Sequence, residues 1–184
     1  GERESRQREA IREITSKWGE QQSIVGPIVT VPYTVEISET DKEGNVTFHT
    51  ETRHASFLPE DLRTSGRIDC EIRYRGIYKV PVYRMKLDVT GHFVHPDFSD
   101  WGVKEDDVLW DRAVLSVQIS DVHAITDSVV LTWNNDRKSF LPGAGEFSGQ
   151  RTGIHAGLKS MLNGQRYDFS YQLMMNGSQG AFFA

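Results

Sequence analysis

Six histidines are the residues of this chain best suited to acid–base or metal chemistry, because an imidazole titrates near neutral pH and binds metals well. Two of them, His92 and His95, form the segment H-F-V-H-P-D together with Asp97. Residues three apart on a strand face opposite sides, so this pair converges only if the chain turns at Pro96. We interpret both as surface histidines at the end of a strand, with a metal site as the alternative.

The acidic run at 97–108 resembles a calcium-binding loop, because Gly102 occupies its sixth position. However, Trp101 stands at the fifth position, which supplies a ligand, and Val108 replaces the bidentate glutamate of the twelfth. These differences remove ligands that such a loop needs, so we predict neither a metal nor a cofactor. An opportunistic surface cation is the alternative here.

The sequence lacks the common motifs of nucleophilic catalysis and phosphate binding, among them G-x-S-x-G, H-E-x-x-H and the P-loop. The glycine-rich segment at 142–149 carries Glu146 and no lysine, which favours a tight turn. The single cysteine, Cys70, can form neither an internal disulfide nor a cysteine-rich zinc site. We therefore predict that the protein is not an enzyme, although paired carboxylates among its 26 acidic residues remain an alternative.

The length and charge of the chain restrict its partners. A chain of 184 residues fits one globular domain. Its net charge of -5 repels phosphate backbones, so no nucleic-acid partner is predicted. No segment contains the roughly 20 consecutive apolar residues that a membrane-spanning helix needs.

The hydrophobic spacing predicts one helix followed by many strands. Residues 4–18 place Ala10, Ile11, Ile14 and Trp18 on one helical face, with Gly19 as the stop. Beyond residue 26 the apolar period becomes two, with clean alternation of apolar and polar positions, which is typical of antiparallel sheets. We predict a mainly β fold, an antiparallel sandwich or strongly bent sheet with an N-terminal helix.

Three local features of the predicted strands are specific. The apolar phase changes near Pro81, which predicts a bulge there. Cys70 alternates with charged residues and falls on the apolar face of its strand, so its role is structural. The segment N-G-S at 176–178 predicts an Asn-Gly turn.

Two tryptophans differ in their predicted environments. Trp133 lies on the inward phase of its strand and is predicted to belong to the core. Trp101 stands between Asp100 and Gly102 in a loop, so we expect it to be exposed. An exposed loop tryptophan is a candidate for contact with a partner.

Short segments spread along the chain resemble, in their order and spacing, the soluble domain of the CreD family of inner-membrane proteins, which are linked to cell-envelope integrity. These segments are W-G at 18–19, V-G-P-I at 25–28, V-P-Y at 31–33, L-P-E at 58–60, R-G-I-Y at 75–78, V-Y at 82–83, P-D-F at 96–98, W-D at 110–111, S-D at 120–121, W-N at 133–134, F-L-P-G-A-G at 140–145, G-I-H-A at 153–156 and N-G-S at 176–178. The chain departs from the family pattern after S-D and after W-N. After W-N, Asn135 stands where the family tends to have glycine, and Asn tolerates the positive φ that glycine adopts.

The resemblance implies an arrangement that composition does not show. A CreD-like protein has one membrane helix, a large extracytoplasmic domain and then a bundle of membrane helices. Residues 1–25 would form a connector helix leaving the first span, and residues 26–184 a β domain that is truncated at its C-terminal end. The expected location is the periplasmic side of the bacterial inner membrane, and the expected partners are envelope or membrane proteins, with lipid as an alternative.

Three functions are consistent with these observations. The leading hypothesis is a non-enzymatic domain that supports envelope integrity or an envelope-stress response through partner contacts, with Trp101, Asp100 and Asp121 as candidate contact residues. The second is a lipid- or glycan-binding module whose pocket is lined by aromatic residues such as Tyr74, Tyr83 and Phe93. The third is a hydrolase of envelope polymer that uses two carboxyl groups as acid and base.

Overall fold

The structure, a computed structural model, describes residues 2–19, 21–143, 152–159, 161, 164–178 and 181–183. It consists of one helix and two β-sheets. The helix α1 spans Glu2–Trp18, and the strands are β1 (Gln22–Thr40), β2 (Val46–Phe57), β3 (Asp61–Arg75), β4 (Tyr78–Val94), β5 (Val114–Ile119), β6 (Val130–Trp133), β7 (Asp136–Ser139), β8 (Leu141–Pro142), β9 (Ile154–Gly157), β10 (Arg166–Ser178) and β11 (Ala181–Phe183). Short 3-10 turns connect β4 to β5 and β5 to β6. The predicted fold class, mainly β with an N-terminal helix, is confirmed.

The first sheet has the strand order β11-β1-β5-β9-β8, with β2 added on β1. The long strand β1 changes partner along its length, because β5 pairs with its first half and β2 with residues from Val29 onward. The register with β5 shifts between Val25 and Ile28. Gly26 adopts a φ of +122° at this bulge, where an added Cβ would lie 3.1 Å from the Ser116 carbonyl oxygen. Only glycine fits such a conformation and such a close approach.

The second sheet has the order β3-β4-β10-β6-β7 and is antiparallel throughout. Its inward residues alternate with outward polar residues, as the sequence period of two requires. They pack on the inward residues of the first sheet in one shared core. Among the most deeply buried core side chains are Leu115, Val117, Leu131, Trp133 and Leu173. The prediction that Trp133 belongs to the core is confirmed.

Helix α1 packs on the outer face of the second sheet. Ile14 contacts Val80 and Val82 of β4 in a small separate cluster, and Ile11 and Trp18 pack beside it. The predicted helical face is therefore the one that is buried. The helix ends at Trp18, and the Gly19 N–H then donates to the Thr15 carbonyl oxygen at 2.8 Å. Among the described residues, no helix has both the length and the apolar character needed to cross a membrane.

Two local predictions are wrong, for different reasons. No bulge occurs at Pro81, because β3 and β4 keep one register through Ile72 and Pro81. The apolar phase changes there because Val82 faces α1 whereas its neighbour Tyr83 faces the core. Asn176 makes no turn either, since it lies inside β10 and pairs with Arg84 of β4.

Cys70 lies on the predicted face of its strand, but that face does not bury it. Cys70 shares the inward face of β3 with Ile68 and Ile72, yet its side chain is exposed. That face extends beyond the area that the opposite sheet covers. The glycine-rich turn predicted at 142–149 lies mostly outside the described residues.

Candidate partner-contact site

Trp101 ends a 3-10 turn at Ser99–Trp101 that hydrogen bonds hold in place. The Asp97 carboxylate accepts a hydrogen bond from the Ser99 N–H at 2.8 Å, and the Trp101 N–H donates to the Phe98 carbonyl oxygen at 3.1 Å. Gly102 closes the turn with a φ of +67°, a left-handed conformation that glycine adopts without strain. The sequence D-F-S-D-W-G therefore forms a turn that presents one tryptophan.

The indole of Trp101 rests on a small group of aromatic rings. It stacks on Phe57 with ring centroids 6.0 Å apart, and it meets Phe98 edge-on at 5.4 Å. Tyr33 lies 6.2 Å away. Phe98 is buried beneath these rings, whereas Trp101 remains 53% exposed. The prediction that Trp101 is exposed is confirmed, and the structure adds that one side of the indole is supported.

The segment that carries Trp101 is attached to the edge of β1. Beyond Thr30, where β1 no longer pairs with β5, the Pro32 carbonyl oxygen accepts a hydrogen bond from the Leu109 N–H at 2.9 Å. The Thr34 hydroxyl donates to the Asp107 carbonyl oxygen at 3.3 Å. These bonds satisfy part of the β1 edge and fix the loop over the inward face of the sheet.

A cavity of about 470 Å³ opens beside Trp101, between this loop and the β1–β2 hairpin. Its lining combines the indole with the charged side chains Glu36, Lys104 and Asp107 and with polar residues of both strands. An aromatic surface surrounded by charged groups is the usual composition of a protein contact site, in which a polar rim surrounds an apolar centre.

The three candidate contact residues do not lie together. Asp100 precedes Trp101 on the same exposed turn. Asp121 instead accepts a hydrogen bond from the His123 N–H at 3.0 Å and caps a separate 3-10 turn. It lines a different cavity, of about 760 Å³, together with α1 residues such as Arg12 and Thr15. The structure therefore joins Asp100 to Trp101 and places Asp121 beside the helix.

The carboxyl groups with shifted pKa values are shifted downward. The hydrogen bond from the Ser99 backbone lowers the pKa of Asp97. The side-chain hydrogen bond from Asn45 lowers the pKa of Asp41, in the turn between β1 and β2. A general acid requires the opposite shift, because it must keep its proton near neutral pH. These two carboxyl groups therefore do not suit the acid role that a hydrolase needs.

Within the H-F-V-H-P-D segment, the side chain of His95 has a structural role, and His92 lies in β4, where it pairs with Asp168 of β10. The Nδ1 atom of His95 lies 2.8 Å from the Tyr167 hydroxyl, and its ring lies 4.5 Å from that of Trp110. The Tyr167 hydroxyl in turn donates to the Met161 carbonyl oxygen at 2.6 Å. In the part of the chain that the structure describes, no three His, Cys, Asp or Glu side chains come together as metal ligands would.

The aromatic residues suggested as a ligand pocket are dispersed. Tyr83 and Phe93 belong to the packed core, where Phe93 lies 5.3 Å from Phe169. Tyr74 lies on the surface of β3 and is 63% exposed. Their arrangement favours the packing interpretation over a shared pocket.

Sequence reasoning missed the support of Trp101. Phe57 and Tyr33 stand on strands 24 residues apart in the chain, and β2 brings them to one face by pairing with β1. The alternation of Ala55 and Phe57 on the inward phase of β2 was the available signal.

The comparisons with known proteins give one family. No match appears among the curated proteins or among the solved structures. The family model described as inner membrane protein CreD, in contrast, matches residues 1–184, which is the whole sequence. The match extends over the helix, both sheets and the Trp101 turn. The chain therefore belongs to the CreD family of inner membrane proteins.

Proposed function

We propose that this chain is the periplasmic domain of a CreD-family inner-membrane protein and that it supports envelope integrity through protein contacts, without catalysis. Membership of the family supports the association with the inner membrane. The observation that carries the contact function is the half-exposed, supported indole of Trp101.

The energy available at Trp101 is sufficient for a contact residue. A tryptophan side chain presents up to about 250 Å², of which roughly half remains accessible here. At about 25 cal/mol per Å², its burial by a partner contributes about 3 kcal/mol before entropic costs. Because Phe57 already holds the ring, little rotational freedom is lost on binding. These are the properties of an interface hot spot.

The surroundings of Trp101 favour a protein over a lipid chain. Glu36 and Asp107 carry negative charge beside the indole, and Lys104 adds one positive charge. A lipid tail offers no partner for these groups, whereas a protein surface supplies complementary charges and hydrogen bonds. Asp100 adds a further negative charge on the same turn as Trp101.

The test is a photocrosslink in the complete membrane protein in its native membrane. A photoreactive amino acid at Lys104 reports on the cavity, and one at the exposed Lys86 of β4 is the matched control. We expect a discrete protein adduct from position 104 only. Trp101→Ala should abolish that adduct, and Trp101→Phe should retain part of it.

Two results would contradict the proposal. An adduct that forms equally well with Trp101→Ala would show that the indole does not contribute to the contact. Absence of any protein adduct at position 104, combined with crosslinked lipid or glycan, would favour the binding-module hypothesis instead.

A further inference from the structure

The strand β3 is a long, open edge of the second sheet. Over Asp61–Arg75 it pairs with β4, and within the described residues no other strand pairs with it. Among the described residues, the N–H and C=O groups on its other edge therefore have no strand partner. Natural proteins usually shorten, cover or pair such edges, because an open edge is a template for another strand.

The inward face of β3 carries an apolar stripe that the core does not cover. Ile68, Ile72 and Tyr74 lie on this face and are 48%, 55% and 63% exposed. Cys70 lies between them and is also exposed. Of the β4 residues opposite this stripe, Met85 and Tyr83 are buried, whereas Pro81 and Lys79, opposite Ile72 and Tyr74, are exposed. The apolar face thus continues outward beyond the core, as it does where a sheet is extended by a further strand.

The outward face of β3 carries charges whose order is self-complementary. Reading toward the turn, Asp69 and Glu71 are negative, and Arg73 and Arg75 are positive. An antiparallel partner of the same sequence, centred on Ile72, places Asp69 opposite Arg75 of the second copy and Glu71 opposite Arg73. Symmetry repeats both pairs, so every charge in this stretch meets its opposite.

The inward face agrees with the same register. Ile72 then lies opposite Ile72 of the second copy, and Cys70 lies opposite Tyr74. Directly opposed residues of an antiparallel pair approach within about 5.5 Å and interact favourably when both are apolar. The contact would therefore bury the exposed apolar side chains of this stripe.

Neighbouring registers are less favourable. Centring the pair on Cys70 places Asp69 opposite Glu71 and Arg67 opposite Arg73 of the second copy. Centring it on Ile68 places Arg67 opposite Asp69 and Asp61 opposite Arg75, but it also places Arg63 opposite Arg73. Centring it on a charged residue puts that charge opposite itself. Like charges directly opposed are destabilising, so the sequence selects the register centred on Ile72.

The other long edge strand, β2, also has a charge-complementary register, centred on Thr52 with Glu51 opposite Arg53, but it lacks the apolar stripe on its inward face. Its residues on the inward phase beyond Ala55 are Arg53, Glu51, His49 and Thr47, all of them polar and exposed. An edge without an apolar stripe gains little by pairing. The combination of apolar stripe and complementary charge is specific to β3.

We propose that β3 pairs antiparallel with β3 of a second copy of this chain, with Ile72 on the two-fold axis. The second sheet then continues across both copies. Such a contact is isologous, since the same surface serves on each side. It is separate from the Trp101 site and does not depend on the function proposed for that site.

The first test is a disulfide at the symmetry axis. In a Cys70→Ser background, Ile72→Cys should form an intermolecular disulfide under mild oxidation, because the two Cβ atoms oppose each other. The native Cys70 is the matched control. In this register the two Cys70 residues are offset by four positions, roughly 13 Å along the strand, which is beyond disulfide reach. Equal crosslinking through Cys70, or none through position 72, would overturn the register.

The second test exchanges the charges. Glu71→Arg opposes Arg73 of the second copy twice, so the dimer dissociation constant measured by sedimentation equilibrium should rise about tenfold or more. The double exchange Glu71→Arg with Arg73→Glu restores opposite pairs and should return the constant toward its original value. Arg73 also lies over the Trp18 ring, at 4.9 Å from its centroid. Arg75 in turn forms an ion pair with Glu13 of α1 at 2.8 Å, so an exchange of Asp69 and Arg75 would disturb the helix contact and is not used.

A chain that stays monomeric at every concentration measured would overturn the proposal. So would a dimer whose dissociation constant does not respond to Glu71→Arg. Thermal unfolding of each variant confirms that the comparison is made between folded proteins.

Discussion

The ring of Phe57, on the last residue of β2, supports the indole of Trp101, on a turn between β4 and β5, with the two planes inclined by 20°. The two residues are far apart in sequence and meet because β2 pairs with β1 beneath the loop. Trp101 thus contributes to local packing as well as to the exposed surface. Its removal has a cost in stability that must be separated from any loss of binding.

We expect Trp101→Ala to lower the free energy of unfolding by about 1 to 2 kcal/mol. The change removes one stacked and one edge-on aromatic contact, and such pairs contribute about 0.5 to 1.5 kcal/mol each. The buried Trp133 provides the contrast, since Trp133→Ala should cost about 3 to 5 kcal/mol. Urea denaturation monitored by circular dichroism measures both values. Equal losses for the two variants would contradict the exposed position of Trp101.

Gly91→Ala should be strongly destabilising, by about 3 kcal/mol. Gly91 lies on β4 opposite Leu62 of β3, and an added Cβ would overlap the Asp61 carbonyl oxygen. Backbone atoms cannot move aside as a flexible side chain can, so the strands must separate locally. Gly157→Ala is the matched control, because an added Cβ there meets no atom within 4 Å. Thermal unfolding should separate the two variants clearly, and similar midpoints would show that β3 and β4 are less closely paired.

Protonation of Asp97 at acid pH should weaken the hydrogen bonding that orders the Trp101 turn. The Ser99 backbone hydrogen bond lowers the folded-state pKa of Asp97 below its ordinary value of 3.8. A carboxyl group with a depressed pKa contributes stability above the unfolded pKa, and this contribution disappears as the pH falls through the folded pKa. We therefore expect the turn to be less well ordered at acid pH and to be unaffected by this titration near neutral pH.

The measurement for Asp97 is a carboxyl titration by NMR, with the Ser99 amide as a second reporter. Both signals should report a midpoint below 3.8. Ser99→Pro removes the N–H donor and should bring the Asp97 midpoint back toward the ordinary value. A midpoint at or above 3.8 in the unsubstituted protein would contradict the hydrogen bond.

The sequence predicted the fold well because the apolar period is clear over most strands. The helical face of Ile14 and Trp18 follows from local spacing in the same way. Pro81 was misinterpreted because both faces of β4 are buried there, one by the core and one by α1. A change of phase in sequence cannot distinguish a bulge from a second packing surface.

Other features depend on contacts that local spacing does not encode. Cys70 has the correct phase, but the extent of the opposite sheet decides whether it is buried. The positive φ expected at Asn135 occurs at Asn134, with a φ of 51°. Asn134 takes that position because its side chain also accepts a hydrogen bond from the Asp168 N–H at 2.8 Å. At the candidate site, the exposure of Trp101 was predictable from its polar neighbours, whereas its support by Phe57 required the strand pairing.

The attachment of α1 to the sheet has a mechanical consequence. The buried Ser178, at the end of β10, donates to the Gly19 carbonyl oxygen at 2.8 Å and lies 3.3 Å from the Thr15 hydroxyl. Ile14 anchors the same turn on Val80 and Val82. The end of the helix is therefore fastened to two central strands by polar and apolar contacts together. We therefore expect a displacement of α1 to be transmitted to the second sheet through these contacts.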